Sequence, residues 1–213
     1  MCLRSGRPLR VPRARVRRRG KSFLTDDVMI DQRPPHVEQR LEPGHWEGDL
    51  IMGLDSSAVG TLVERSTHYT VLLHLPRIAG HGAPRRKRGP ALAGHGAEAV
   101  NDAIAKAFRK LPAKLRRSLT WDQGAEMSQH IRLRAETGLK VYFCQPRSPW
   151  QRGTKENTNG LLRQYFPKGT DLSRYSAEKL AAVANALNNR PRKVLGWKTP
   201  AEAMREHLSS RWL

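Results

Sequence analysis

Three short runs of β-branched and aliphatic residues follow one another with no helical stretch between them. That succession constrains the fold more than any other feature of the chain. The runs are WEGDLIMG at 46–53, AVGTLVE at 58–64 and YTVLLHL at 69–75, the last two separated only by Arg65-Ser66-Thr67-His68. Connectors this short join antiparallel neighbours, because a parallel pair needs a crossover. After residue 96 the pattern changes. Val100, Ile104, Ala107, Phe108 and Leu111 recur at helical spacing and predict a helix over 97–111, ended by Pro112. LTWD at 119–122 predicts a fourth strand that stops on an acid, 128–137 a helix closed by Gly138, and KVYFC at 140–144 a fifth strand stopped by Pro146 and Pro149. Helices are predicted over 152–166 and over 177–189, the second with Ser176 as N-cap. Thr199-Pro200-Ala201-Glu202 is a capping box with proline at the first helical position, opening a last short helix. The order βββ-α-β-α-β-α-α predicts an α/β fold with a mixed sheet covered by helices.

Composition bears on whether such a sheet can be buried. The apolar fraction is 38% over 213 residues, enough for a core that needs no metal or disulfide to hold it. The only cysteines, Cys2 and Cys144, make neither a disulfide framework nor a zinc cluster. They point to a reducing, cytoplasmic compartment. Charge is the outlier. The net charge of +20 draws polyanions, and nucleic acid fits better than a membrane because no basic amphipathic helix is apparent. The longest stretch without a charged residue, Ser66 to Pro76, is too short to span a bilayer. Residues 1–21 carry +9 with no acid, and residues 77–96 carry +5 with no acid. Residues 1–40 are therefore expected to form a basic, largely disordered arm or linker, and 41–213 the folded domain. Residues 77–96 are expected to be a basic flexible loop, bracketed by the repeat Ala79-Gly80-His81-Gly82-Ala83 and Ala93-Gly94-His95-Gly96-Ala97.

Three acids stand out by position. Asp49 lies mid-strand, where a charge is costly to bury. Asp122 ends a short apolar strand and precedes Gln123-Gly124. Glu156 lies near a helix start, and on a helical wheel it shares a side with Asn159, Gly160 and Arg163, while Leu161, Leu162 and Tyr165 fall opposite. Carboxylates from two strands and a helix can converge at one end of a sheet, where oxygen-only ligands suit Mg²⁺ or Mn²⁺. Two such ions would activate an attacking oxygen and stabilise a leaving one at phosphorus. The competing reading makes the three acids a surface charge, a turn residue and a helix-dipole partner. Glu47, Asp55 and Glu126 are rival members of the set.

The longer words are more specific. HWEGDLIMG (45–53), TLVERSTHYTVLLHLP (61–76), LTWDQG (119–124), SPWQRGTKENTNGLLRQYFPKGTDLS (148–173) and LNNRPRKVLGWKTPAEAM (187–204) closely resemble the IS30-family transposases of bacterial insertion sequences, from about residue 40 to the end. The resemblance implies the DDE transposase and retroviral integrase superfamily, with an RNase H-like fold: a five-stranded mixed sheet, its first three strands antiparallel, with helices on both faces. By motif, it implies Asp49, Asp122 and Glu156 as the catalytic, metal-holding acids, with 33 residues between the last two. It also implies Mg²⁺ (or Mn²⁺), two ions, as cofactor. Transposon-end and target DNA are the implied partners, and a homo-oligomer the active form. The implied chemistry is strand cleavage at transposon ends, then attack of the freed 3′-hydroxyl on target DNA, in a bacterial, nucleoid-associated protein. Relatives carry a helix-turn-helix region ahead of this domain. The Arg-rich stretch before residue 40 has no such pattern, so a shortened transposase is expected. Lys155 stands where relatives often have Asn.

Around Glu156, the residues Arg152, Lys155, Asn159, Arg163 and Lys168 are the DNA-contacting candidates, with a solvated helix face as the plain alternative. Trp150 reads as a core anchor or a base-stacking platform, and Trp46, Trp121 and Cys144 as core. Asn157 and Asn159 could orient Glu156 or a phosphate. His45 and His130 lie close to the motifs and could assist catalysis. Two other functions stay open at this point: a truncated, non-catalytic DNA-binding remnant, and an RNase H-like nuclease without strand transfer.

Overall fold

The computed structural model describes residues 23–81, 93–146 and 148–209, apart from the side chains of Pro149, Arg152, Thr154, Lys155 and Glu156. Its centre is a five-stranded sheet made of β1 (His45–Met52), β2 (Ala58–Glu64), β3 (Thr70–Leu75), β4 (Ser118–Trp121) and β5 (Lys140–Phe143), in the spatial order β3-β2-β1-β4-β5. The pairs β1·β2 and β2·β3 are antiparallel, and β1·β4 and β4·β5 are parallel. This is the RNase H-like mixed sheet expected from the sequence. The parallel strands are reached through helices α1 (Ala97–Arg109) and α2 (His130–Thr137). Helices α3 (Gly153–Leu162), α4 (Ala177–Asn188) and α5 (Pro200–Ser209) follow the last strand.

Strand alternation divides the sheet into two differently covered faces. Trp46 and Leu62 point to one face and meet Val100, Ile104 and Phe108 of α1 in the larger core. The Trp46 and Phe108 rings pack edge to face at 5.3 Å, and the Trp46 indole N–H donates to the Leu115 carbonyl at 2.8 Å. Ile51 and Val59 point to the other face. There they pack on Leu162 of α3, on Leu180, Val183 and Leu187 of α4, and on Phe166 and Leu172. Burying a large aliphatic or phenyl side chain of this kind contributes roughly 1.5–3 kcal/mol. The Asn188 side chain then ties α4 to the start of β3, accepting from Thr70 N–H at 2.8 Å and donating to Thr70 O at 2.9 Å. Lys114 Nζ caps the end of α5 by donating to the carbonyls of His207 (3.0 Å) and Leu208 (2.8 Å).

Two boundaries differ from the sequence reading. Residues 1–40 do not hold as one arm. The stretch 1–22 lies outside the described residues, but 23–40 forms short 3₁₀ turns that pack on the sheet, with Ile30, Arg33 and Val37 buried and Met29 bridged to Phe143. Likewise α3 ends at Leu162 rather than 166. Gln164 and Tyr165 donate to Leu161 and Leu162, a tighter i−3 pattern that turns the chain before Pro167. The loop expected at 77–96 is described only at its ends, since 82–92 lie outside the described residues. At the far end Gly94 has φ +89, and a Cβ there would lie 2.1 Å from the Pro76 carbonyl oxygen, so the loop closes against β3 through a glycine.

Candidate active site

Parallel pairing of β1 and β4 brings the first two acids together. His45, Trp46 and Glu47 pair with Ser118, Leu119 and Thr120. Two residues beyond the last pair on each strand lie Asp49 and Asp122. Continued at strand spacing, this register sets them in one row on one face of neighbouring chain segments, which run roughly 4.8 Å apart where they pair. Both are half-buried and so partly open to solvent. Just behind this row, on the opposite face, the strands are locked. An added Cβ on Gly48 would lie 2.1 Å from Cζ3 of the fully buried Trp121, so only glycine lets that ring cross β1. The loop after β4 is equally constrained. Asp122 Oδ1 accepts from Gly124 N–H at 3.0 Å, Trp121 O accepts from Cys144 N–H at 2.9 Å, and Gln123 Nε2 donates to Cys144 O at 3.1 Å.

Helix α3 is held against the same row. Asn159 Nδ2 donates to Asp49 Oδ2 at 3.4 Å. Thr61, the residue paired with Asp49 on β2, has its hydroxyl 3.2 Å from the Asp49 carbonyl oxygen and 3.4 Å from Asn159 Oδ1. These are long, weak bonds; Thr158 and Leu162 are buried on the same helix, Leu162 in the core with Ile51 and Val59. Asn159, expected on DNA, thus sits beside the first acid. Glu156 lies one helical turn earlier on α3, and its side chain, like those of Arg152 and Lys155, lies outside the described residues. Arg163 is half-buried with Nη1 3.5 Å from Phe166 O, and Lys168 is exposed. On the wheel, the buried side runs Thr158, Leu162 and Phe166, whereas Tyr165 is exposed and Leu161 half-buried.

The rival acids have other partners. Glu47 is fully buried and pairs with Arg65 at 2.6 Å. Glu126 accepts from the Trp121 indole N–H at 3.0 Å, and Asp55 is an exposed turn residue 3.9 Å from Arg77. Sequence reasoning missed what lies beneath the aspartates: Arg33 donates to Thr120 Oγ1 at 2.9 Å and pairs with Glu38, which also meets Arg65 at 3.1 Å. Burial, then the neighbouring Arg65 charge, pushes the Arg33 pKa down to about 10. Only the alternation of Glu47 with Asp49 hinted that a second acid shared this face. Trp150 is no core anchor, being 74% exposed just ahead of α3, whereas Trp46, Trp121 and Cys144 are buried as expected. His45 is buried, its Nδ1 2.7 Å from Ser118 Oγ, and burial followed by Arg117 pushes its pKa down to about 4. His130 packs against Phe143 at 5.2 Å, and burial lowers its pKa too. Neither imidazole is among the residues placed here beside the aspartate row.

The fold is that of an integrase-like domain of the RNase H class, with Asp49 on β1, Asp122 just past the end of the adjoining parallel strand β4, and a helix packed beside them. A chain of the simian T-cell lymphotropic virus intasome, solved by cryo-electron microscopy with the PP2A regulatory subunit B56 gamma, shares this fold with TM-score 0.54. The match covers 81% of the present chain and 57% of that one, at 19% identity. No family model matches the chain. Its sequence relatives place it with the IS30-family transposases. It is 50% identical to the transposase for insertion sequence element IS1086 of Cupriavidus metallidurans, over 98% of the chain and 57% of that protein. It is 45% identical to transposase InsI of element IS30C of Escherichia coli over 94% of the chain and 48% of that protein, and 36% identical to the IS4351 transposase of Bacteroides fragilis over 89% and 53%. The chain thus spans about half the length of the curated relatives it matches. Among the described residues no helix is long and apolar enough to cross a membrane.

Proposed function

We propose that this chain is the strand-cleaving and strand-joining domain of an insertion-sequence transposase, acting on DNA as a homo-oligomer with Mg²⁺ or Mn²⁺. The observation that carries the reading is the parallel β1·β4 register up to Glu47–Thr120, two residues before Asp49 and Asp122, with Asn159 of α3 beside Asp49. The donors suit hard divalent cations: half-buried carboxylates, open to water, with no thiolate or imidazole in the row. Asp49, Asp122 and Glu156 would hold two such ions, which when bound activate the attacking oxygen and stabilise the leaving oxygen at phosphorus. In cleavage a water oxygen bonds to phosphorus as the bond to the 3′-oxygen breaks, freeing a 3′-hydroxyl. In joining, that hydroxyl attacks a target phosphodiester and displaces the target's own 3′-oxygen. The residues of this chain supply position: Asn159 steadies the Asp49 carboxylate, and the Gly48–Trp121 lock keeps the two strands in register. Arg152 just before α3, Lys155 on it, and Arg163 and Lys168 after it can take backbone phosphates, and exposed Trp150 can take a base face.

The test uses duplexes bearing the ends of the element that encodes the chain, incubated with Mg²⁺ or Mn²⁺. Nicked and joined products are expected from the parent, and neither from Asp49→Asn, Asp122→Asn or Glu156→Gln, each still binding the duplex. A parent that binds but never cuts, in either metal, would leave a DNA-binding remnant as the better description.

A further inference from the structure

Between α4 and α5 the chain closes on itself. Arg192 N–H donates to Lys198 O at 3.0 Å, and Arg192 O accepts from Leu195 N–H at 3.0 Å and from Trp197 N–H at 2.9 Å. This small ring of backbone bonds holds Trp197 at φ 69, a left-handed conformation that costs any residue with a Cβ free energy. Burial does not offset the cost. Trp197 is 69% exposed and Val194, beside it in the ring, 68% exposed. A bulky aromatic held by a rigid loop, strained and facing solvent, is unaccounted for by the fold.

The charge around it is one-sided. From Arg190 to Lys198 there are four cations and no acid. Lys198 is held by Glu206 at 2.7 Å. Arg192 is half-buried, and its Nε has no hydrogen-bond partner among the described residues. Burial, then Arg190, lowers the Arg192 pKa, and Arg40 and Arg192 both bear on buried His68 in the β2–β3 turn. Cations from two segments, Arg40 and the 190–198 loop, therefore gather at this corner around the neutral His68. A half-desolvated guanidinium with like charges for neighbours is set up to receive an anion. The β2–β3 turn begins four residues along β2 from the Asp49 row, about 13 Å away at strand spacing.

We propose that this corner is a second nucleic-acid contact, separate from the carboxylate row. Trp197 stacks on an unpaired base, and Arg190, Arg192 and Lys193 take the flanking phosphates. The inference rests on the reading that the chain works on DNA, and it adds a strand with unpaired bases as the form of DNA held here. Charge selects a polyanion over an acid-poor protein face, and the exposed indole selects a strand with a free base over a blunt duplex.

The test is fluorescence anisotropy with the 213-residue chain in EDTA, using a fluorescein-labelled single strand and the blunt duplex of the same sequence. Trp197→Ala should weaken single-strand binding by roughly 10- to 100-fold, with Trp197→Phe recovering most of it and the duplex nearly unaffected. Arg190→Gln and Arg192→Gln should each flatten the slope of log K against log salt by about 0.7 for the single strand. Single-strand affinity unchanged in Trp197→Ala would overturn the proposal. So would a fall in sedimentation mass for that variant with no change in single-strand affinity, which would make the surface a contact between copies of the chain. Because no metal is present, loss of cutting in the parent would sink the proposed reaction and leave this result standing. A parent that cuts, with a Trp197→Ala variant that binds like it, would sink this inference alone.

Discussion

Gly48 and Asp49 sit next to each other on β1 and face opposite sides, so one substitution tests packing and the other chemistry. In Gly48→Ala the new methyl would lie 2.1 Å from the Trp121 ring, which is itself fully buried. Overpacking of this kind costs about 1–3 kcal/mol, to be read as a lower urea midpoint by circular dichroism. Asp49→Asn keeps the shape and should leave that midpoint almost unchanged while cleavage falls to background. Glu47, two residues earlier, should behave in the opposite way. Glu47→Gln leaves buried Arg65 with the exposed Glu38 as its remaining carboxylate partner, so the cost is at most the roughly 3–5 kcal/mol of breaking a buried pair from one side. Lower stability with the proposed Mg²⁺-dependent cleavage retained is the expected result. The sequence could rank Asp49 because an acid inside an apolar strand is conspicuous. It could not demote Glu47, because burial against Arg65 depends on a strand pairing that adjacent residues do not encode.

Elements were legible in proportion to their periodicity. β2 matches its expected span, β1, β3, β4 and β5 shift by a residue or so, and α4 shifts by one, since apolar alternation and helical spacing are local signals. That Asp49 and Asp122 follow neighbouring parallel strands, two residues past the Glu47–Thr120 pair, depends on the β1·β4 register, which no local pattern in either strand carries. The segment 23–40 was read as part of a flexible arm for a physical reason. Three-residue 3₁₀ turns have no periodicity, and its structure comes from what it covers: Arg33 against Thr120, Phe23 against Phe143 at 5.8 Å, and Val37 buried. Removing residues 1–40 should therefore do more than trim a tail. It would take away Arg33 and Glu38, leave Arg65 and Glu47 facing water beneath the aspartates, and bare part of the larger core. Such a chain should melt at least several degrees lower than one starting at residue 23, as scanning calorimetry of the two would show. Equal melting temperatures would mean that the turns contribute nothing to the fold.

For the molecule as a whole, the net charge of +20 makes acid the direction of weakness. His45 and His68 are buried, and both imidazoles are pushed down from 6.5 to about 4, chiefly by burial and then by nearby arginines: Arg117 for His45, Arg40 and Arg192 for His68. Between about pH 4 and 6.5 the unfolded chain binds these two protons and the native chain does not, so unfolding takes up protons. Stability is therefore complete above pH 6.5, falls as pH drops toward 4, and gains no further loss from these groups below that. Each imidazole accounts for at most about 3 kcal/mol over this window. Both protons also add to a charge that is already strongly positive, so the loss should be steeper at low salt, where self-repulsion is least screened. The folded-state carboxylates with lowered pKa values, Asp171, Glu178 and Glu202, are lost at the acid end of the range and do not mask the upper part of the slope. Urea midpoints taken from pH 7.5 to 4.5 at fixed ionic strength should trace this decline, and His68→Gln, with one imidazole removed, should flatten it, with His45 and His130 leaving the remainder. A parent whose midpoint holds level down to pH 4.5 would show that these histidines are not kept neutral by the fold.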